Sequence, residues 1–143
     1  MITLNTYLSL GKQCREAMTF YQTVLGGDLF LMPVEDTPIA AEMPPELQHE
    51  IMHSTLTTNE FRLMATGISP GPQESDTGEQ GGGASLVLSV DSDKDVERLF
   101  NVLSNGGKIL CPLGPSFFAV MFGSLTDRFG VTWNVVHELP LAN

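Results

Sequence analysis

The sequence predicts an α+β protein built from two similar halves in tandem, and three observations lead there. Sliding the chain against itself by 80 residues sets Leu8-Ser9-Leu10 on Leu88-Ser89-Val90, Phe20 on Phe100, Gly26-Gly27 on Gly106-Gly107 and Leu29 on Ile109. Each half then has the same grammar: an alternating strand, a polar start signal, a helical apolar stripe, a Gly-Gly stop and another apolar strand. The first half also holds two short alternating runs separated by Asn59-Glu60, the pattern of a hairpin.

The second helix is the clearer. Asp91-Ser92-Asp93 supplies N-cap chemistry, Val96, Leu99, Phe100 and Leu103 recur at helical spacing, and Gly106 stands where a left-handed C-terminal residue belongs. In the first half Ala17, Phe20, Tyr21, Val24 and Leu25 make the equivalent stripe, which Gly26 ends. The hairpin pairs Thr58 with Phe61, Leu56 with Leu63 and Ser54 with Ala65 on one face, and Thr57 with Arg62, Thr55 with Met64 and His53 with Thr66 on the other. The first set is expected to meet helices.

Strands alternate faces with a period of two. Leu8, Leu10, Leu86, Leu88, Val90, Trp133 and Val135 therefore fall on the helix side, and Asn5, Tyr7, Ser9, Ser85, Val87, Ser89, Thr132 and Asn134 on the other. That second face is mixed rather than charged, which suits a cavity or an interface better than open water. The halves, about residues 1–66 and 84–138, are joined by 67–83 (GISPGPQESDTGEQGGG), which reads as a mobile loop and a candidate lid.

Composition narrows the function classes. With 17 acidic and 7 basic residues the net charge is −10, which disfavours a phosphate backbone and so excludes nucleic acid as the expected partner. No stretch approaches 18 apolar residues and the start lacks a signal peptide, so no membrane is expected and a cytoplasmic location is. Cys14 and Cys111 form no C-x-x-C pair and read as reduced, buried, small apolar residues.

The segments YLSLGKQCREAMTFYQTVLGG, IMHSTLTTNEFRLMATG and SLVLSVDSDKDVERLFNVLSNGGKILCPLG, with the ending SFFAVMFGSLTDRFGVTWNVV, resemble the PhnB-like branch of the vicinal oxygen chelate (glyoxalase, bleomycin-resistance and dioxygenase) superfamily. The most specific element is FG-x-x-x-D-x-FG-x-x-W, here Phe122-Gly123, Asp127, Phe129-Gly130 and Trp133. The resemblance implies one glyoxalase-like domain of tandem βαβββ modules, a cupped mixed β-sheet flanked by helices, and a homodimer. Metal-dependent members carry His and Glu at four strand positions, which fall here on Asn5 (or Thr6 under a shifted alignment), Met64, Ser85 and Asn134. None is a good ligand for a hard divalent cation, so no metal and no other cofactor is expected. Relatives sometimes bear names that speak of demethylubiquinone methylation or phosphonates. The residues give neither a basis, since the Gly81-Gly82-Gly83 run precedes a strand instead of opening a helix.

Among candidate ligand-binding residues, His53 stands on the second face beside Thr55, Met64 and Thr66, as a general base, a ligand-orienting group or a hydrogen-bonded packing residue. Asn5, Ser85 and Asn134 would hydrogen-bond a ligand or one another. Tyr7, Phe117 and Phe118 would wall a planar or cationic ligand, or pack in the core or at a dimer seam. His49 and His137 lie near strand ends. Glu35, Asp36, Glu42, Glu46 and Glu50 crowd a Pro-broken stretch that reads as a solvated loop, and Asp127 with Arg128 fixes a turn. Two functions follow: a metal-free dimer that sequesters a small molecule, or an enzyme of the same superfamily acting on a small organic substrate with His53 in its site.

Overall fold

The computed structural model describes residues 1–69, 71 and 84–139. Most of the expected lid, residues 70 and 72–83, lies outside the described residues. Contacts divide the chain into two compact units, Met1–Gly78 and Glu79–Asn143.

The first unit runs β1 (Thr6–Ser9), α1 (Cys14–Leu25), β2 (Asp28–Pro33), β3 (Ile51–Thr57) and β4 (Arg62–Thr66). Its strands lie in the order β1-β4-β3-β2, with β1 parallel to β4 and the other pairs antiparallel. The hairpin has the expected register: Ser54 faces Ala65, Leu56 faces Leu63, and the Thr58 N–H donates to the Phe61 carbonyl at 2.9 Å. Asn59 and Glu60 form the turn, and the Thr58 hydroxyl accepts the N–H groups of Glu60 and Phe61.

One face of this sheet packs under α1. Cys14, Ala17, Met18, Tyr21 and Val24 of the helix are buried, with Leu56, Leu63, Ala65 and Ile51 of the strands. The larger of these, such as Met18, Ile51, Leu56 and Leu63, contribute about 1.5–3 kcal/mol each through burial. Phe20 and Leu25, expected in the stripe, are only half-buried; because the helix begins at Cys14, its inward stripe is turned toward Cys14 and Met18. Gly26 ends α1 at φ 78°, a conformation that costs a side-chain-bearing residue about 1–2 kcal/mol.

The second unit repeats the plan with β5 (Leu86–Val90), α2 (Asp93–Ser104), β6 (Lys108–Gly114), β7 (Ala119–Thr126) and β8 (Thr132–Glu138), in the order β5-β8-β7-β6. The Ser92 hydroxyl caps α2 by accepting the Asp95 N–H at 3.1 Å, and Gly106 has φ 79°, matching Gly26. Val96, Leu99, Phe100 and Leu103 bury against Leu125, Trp133 and Val135. Gly123 lets the Phe100 ring lie on β7, since a Cβ there would stand 2.7 Å from the ring.

The chain is thus two four-stranded mixed sheets, each backed by one helix. No helix among the described residues is long and apolar enough to cross a membrane.

The family motif explains itself locally. Asp127, 2 % exposed, accepts the Phe129 N–H at 2.9 Å and the Val131 N–H at 3.0 Å through Oδ1. Its Oδ2 accepts the Trp133 indole N–H at 2.8 Å. One carboxylate so fixes the β7–β8 turn, as the sequence suggested, and also ties it to the core. Between β2 and β3 the acidic stretch is more ordered than a solvated loop. It forms three 3-10 turns, Val34–Asp36, Ala40–Glu42 and Pro45–Leu47, and the Gln48 amide donates to the carbonyls of Ala40 and Met43.

Cys111 corrects an expectation: it is exposed, whereas Cys14 is buried. β6 is an edge strand with two register irregularities, and Cys111 pairs with Ser124 in the row of Asn134, away from α2.

Candidate functional site

α1 covers one face of the first unit's sheet, so residues of opposite parity carry the other face with no helix of that unit over them. Register aligns them in rows. Tyr7 on β1 faces Met64 on β4, Met64 faces Thr55 on β3, and Thr55 faces Phe30 on β2. Beside that row, His53 faces Met32. Four residues singled out from sequence, Tyr7, His53, Thr55 and Met64, therefore come together although β1 and β4 lie far apart in the chain.

The Tyr7 ring stacks on the His53 imidazole, centroids 6.1 Å apart and planes 23° from parallel. His53 Nε2 lies 3.1 Å from the Thr55 hydroxyl. Either partner can donate in that bond. If the hydroxyl donates, Nδ1 carries the ring proton and is a donor; if Nε2–H donates, Nδ1 is an acceptor. Nδ1 makes no hydrogen bond among the described residues, so it is available in both cases. Tyr7 and Phe30 are each 53 % exposed. Thr66, expected beside His53, is buried and donates its hydroxyl to the Met52 carbonyl at 2.9 Å, closing the end of the sheet.

Phe30 and Met32 were missed from the sequence. Asp28–Pro33 reads DLFLMP, whose unbroken apolar run shows no alternation from which to assign faces. The β2–β3 pairing assigns them.

In the second unit the corresponding face carries the row Val87, Asn134, Ser124 and Cys111. The Asn134 amide donates to the Ser85 hydroxyl at 2.8 Å and to the Leu86 carbonyl at 3.4 Å. Ser85 and Asn134 are thus brought together, each partly satisfying the other. Phe118 packs edge-on against both Phe117 and Phe122, at 5.1 Å in each case. Phe117 is 93 % exposed, and Phe122, on the strand itself, was read from sequence as a motif residue and not as a wall of the site.

The donors at the superfamily's metal positions do not fit a hard cation. Asn5 is exposed and precedes β1, Met64 offers a thioether, and the Asn134 nitrogen is already donating. Thr6 pairs with Leu63 and has the parity of the helix-covered face. Among the described residues no three His, Cys, Asp or Glu side chains are grouped to hold a metal ion.

The remaining candidates lie elsewhere. His49 is exposed, 3.4 Å from Glu35. His137 Nδ1 lies 2.9 Å from Asp93 Oδ1, tying β8 to the start of α2, and the Ser89 hydroxyl donates to Glu138 at 2.9 Å nearby. The Cys14 thiol is pushed up by burial, against the lowering effect of the Ser54 hydroxyl 3.7 Å away.

The family model described as 3-demethylubiquinone-9 3-methyltransferase matches residues 3–136. The chain belongs to this family. Protein YjdN of Escherichia coli K12 is 30 % identical over 148 residues, spanning 96 % of this chain and 97 % of that one. The crystal structure of protein PA1353 from Pseudomonas aeruginosa is 40 % identical with a TM-score of 0.82, covering 96 % and 98 % of the two chains. A Bacillus cereus structure described as a putative 3-demethylubiquinone-9 3-methyltransferase, PhnB protein, shares the fold at 23 % identity and TM-score 0.72, covering 95 % and 99 %. The same fold extends to glyoxalase/bleomycin resistance/dioxygenase proteins at TM-scores of 0.59 and 0.64. The chain therefore has the fold of the glyoxalase/bleomycin resistance/dioxygenase proteins.

Proposed function

We propose that the protein is a cytoplasmic, metal-free homodimer that binds and sequesters a small organic molecule on the helix-free face of its first sheet. The observation that carries this reading is the convergence of Tyr7, His53, Thr55 and Met64, with His53 Nδ1 open to a ligand. Apolar walls with a few placed polar groups are what small-molecule sites require. The family's name speaks of methyl transfer, yet no Gly-rich strand-to-helix turn of the nucleotide-cradling kind occurs among the described residues, where both helices start at other sequences.

A thermal-shift screen of small organic molecules, followed by titration of His53→Gln, tests the reading. Loss of the His53 hydrogen bond should weaken binding by about two- to a hundredfold, the worth of a neutral to a charge-assisted bond. An unchanged dissociation constant would remove His53 from the site. Light scattering should give about twice 15.5 kDa, and metal analysis no stoichiometric metal. The same open Nδ1 also favours a second reading, an enzyme in which His53 serves as general base for a small organic substrate. Conversion of the ligand, followed by NMR and lost in His53→Gln, would select it over sequestration.

A further inference from the structure

The four strands of the first unit hold one arginine and no lysine, and that arginine stands at the end of the candidate face. Arg62 opens β4, pairs with Thr57 and precedes Met64 by two residues, so it leaves the sheet on the same side as Met64, Thr55 and Tyr7. It is exposed and makes no hydrogen bond or ion pair among the described residues. Asp28, the acidic residue of that row, lies on the far side of Thr57 and forms no ion pair with it. A cavity of about 560 Å³ opens at this end of the sheet, lined among others by Asn5, Thr57, Asn59, Arg62 and one carboxylate, that of Glu60.

We propose that this face binds a planar aromatic ring bearing a carboxylate, the ring lying on Tyr7 and Met64 and the carboxylate meeting Arg62. This rests on the reading of the face as the ligand site and adds the chemical class of the ligand. Tyr7 and Met64, paired on adjacent strands, set an aromatic ring beside a thioether, a polarizable surface that favours a flat π-system over a branched aliphatic one. Arg62 stands about 6.6 Å along β4 from Met64, two strand residues away, a separation that a ring and its carboxylate substituent bridge. A guanidinium takes a carboxylate through two parallel hydrogen bonds. Asn5 and Thr57 stand at the same cavity as further donors. A single cation on a chain of net charge −10 matches a monoanion better than a dianion, because no second positive group on these strands would offset the added charge.

The test is an amide-resolved NMR titration of the full chain with four probes of one shape: 2-naphthoate, 2-naphthylmethanol, 2-naphthylmethylamine and 2-naphthyl phosphate. The naphthoate should bind about three- to tenfold more tightly than the alcohol, a charge-assisted bond discounted for the exposure of Arg62, with the amine weakest. Arg62→Gln should erase that preference, bringing the naphthoate down to about the alcohol's affinity. The proposal is overturned if the amine or the phosphate outbinds the naphthoate, or if the Gln variant keeps the preference. Should the alcohol shift the β1–β4 amides while the naphthoate holds no advantage, the carboxylate assignment fails and the ligand face stands. If no probe shifts those amides, both fail.

Discussion

Replacing Asp127 tests the logic of the family motif most directly. Its carboxylate accepts three N–H groups, from the Phe129 and Val131 backbone and the Trp133 indole, in a site 2 % exposed. Asp127→Ala would leave all three donors without this acceptor. At about 1–3 kcal/mol for each stranded buried donor, offset by local relaxation, the loss should be about 3–5 kcal/mol, in line with breaking other buried charged networks. At about 2–4 °C per kcal/mol for a chain of this size, the melting temperature should fall by about 10 °C. Asp127→Asn separates the contributions. One amide oxygen can keep both backbone bonds while the amide nitrogen faces the indole N–H, donor against donor, for a cost of about 1–3 kcal/mol. Trp133→Phe removes that opposing donor, so the double variant should be less destabilised than the sum of the singles by about 1 kcal/mol. Urea unfolding followed by far-ultraviolet circular dichroism reads the parent and all four variants, including those lacking the chain's single tryptophan. An Ala variant within about 1 kcal/mol of the parent, or an additive cycle, would refute the account.

Four further outcomes are expected. Cys111 should react with a thiol reagent in the folded protein while buried Cys14 reacts only on unfolding. Because burial holds the Cys14 thiol above its ordinary value of 9.0, its contribution to stability is full below that value and is lost as pH rises from there toward the folded-state value. The stability margin of the parent over Cys14→Ala should therefore shrink on going from pH 8 to pH 10. Gly123→Ala should cost about 1–3 kcal/mol, because the new methyl meets Phe100 and Leu113 at 2.7 Å, whereas Gly26→Ala, with nothing within 4 Å, should cost only the backbone strain of about 1–2 kcal/mol. Chemical denaturation in a Phe100→Leu background separates the two causes, since the Gly123→Ala loss should shrink there and the Gly26→Ala loss should not; an unchanged Gly123→Ala loss would contradict the clash. Ser85→His with Asn134→Glu should create nickel affinity measurable by calorimetry, since the parent side chains already touch at 2.8 Å. No gain would show that the replaced side chains do not converge.

What the sequence determined by itself is local. The Asn59-Glu60 turn set the β3–β4 register because a two-residue connection leaves one pairing, and the Ser92 cap and the left-handed Gly26 and Gly106 set where helices start and stop. Alternation then placed Tyr7, His53, Thr55 and Met64 on the face opposite the helix, and the 80-residue repeat carried the same plan into the second half. Other features needed tertiary structure, because they depend on pairings between residues distant in sequence. That β1 lies parallel to β4, and β2 at the opposite edge, is decided by which arrangement buries Leu56, Leu63 and Ala65 under α1. No turn encodes it. Only that arrangement brings Tyr7 onto His53 and adds Phe30 and Met32 to the same surface. Cys111 followed the same rule in reverse: an apolar residue in an apolar run looks buried, but an edge position on the face away from α2 leaves it exposed. Asp127 was legible as a turn residue. Its hold on Trp133 was not, because a buried carboxylate reveals its donors only when the strands on both sides of the turn are in place.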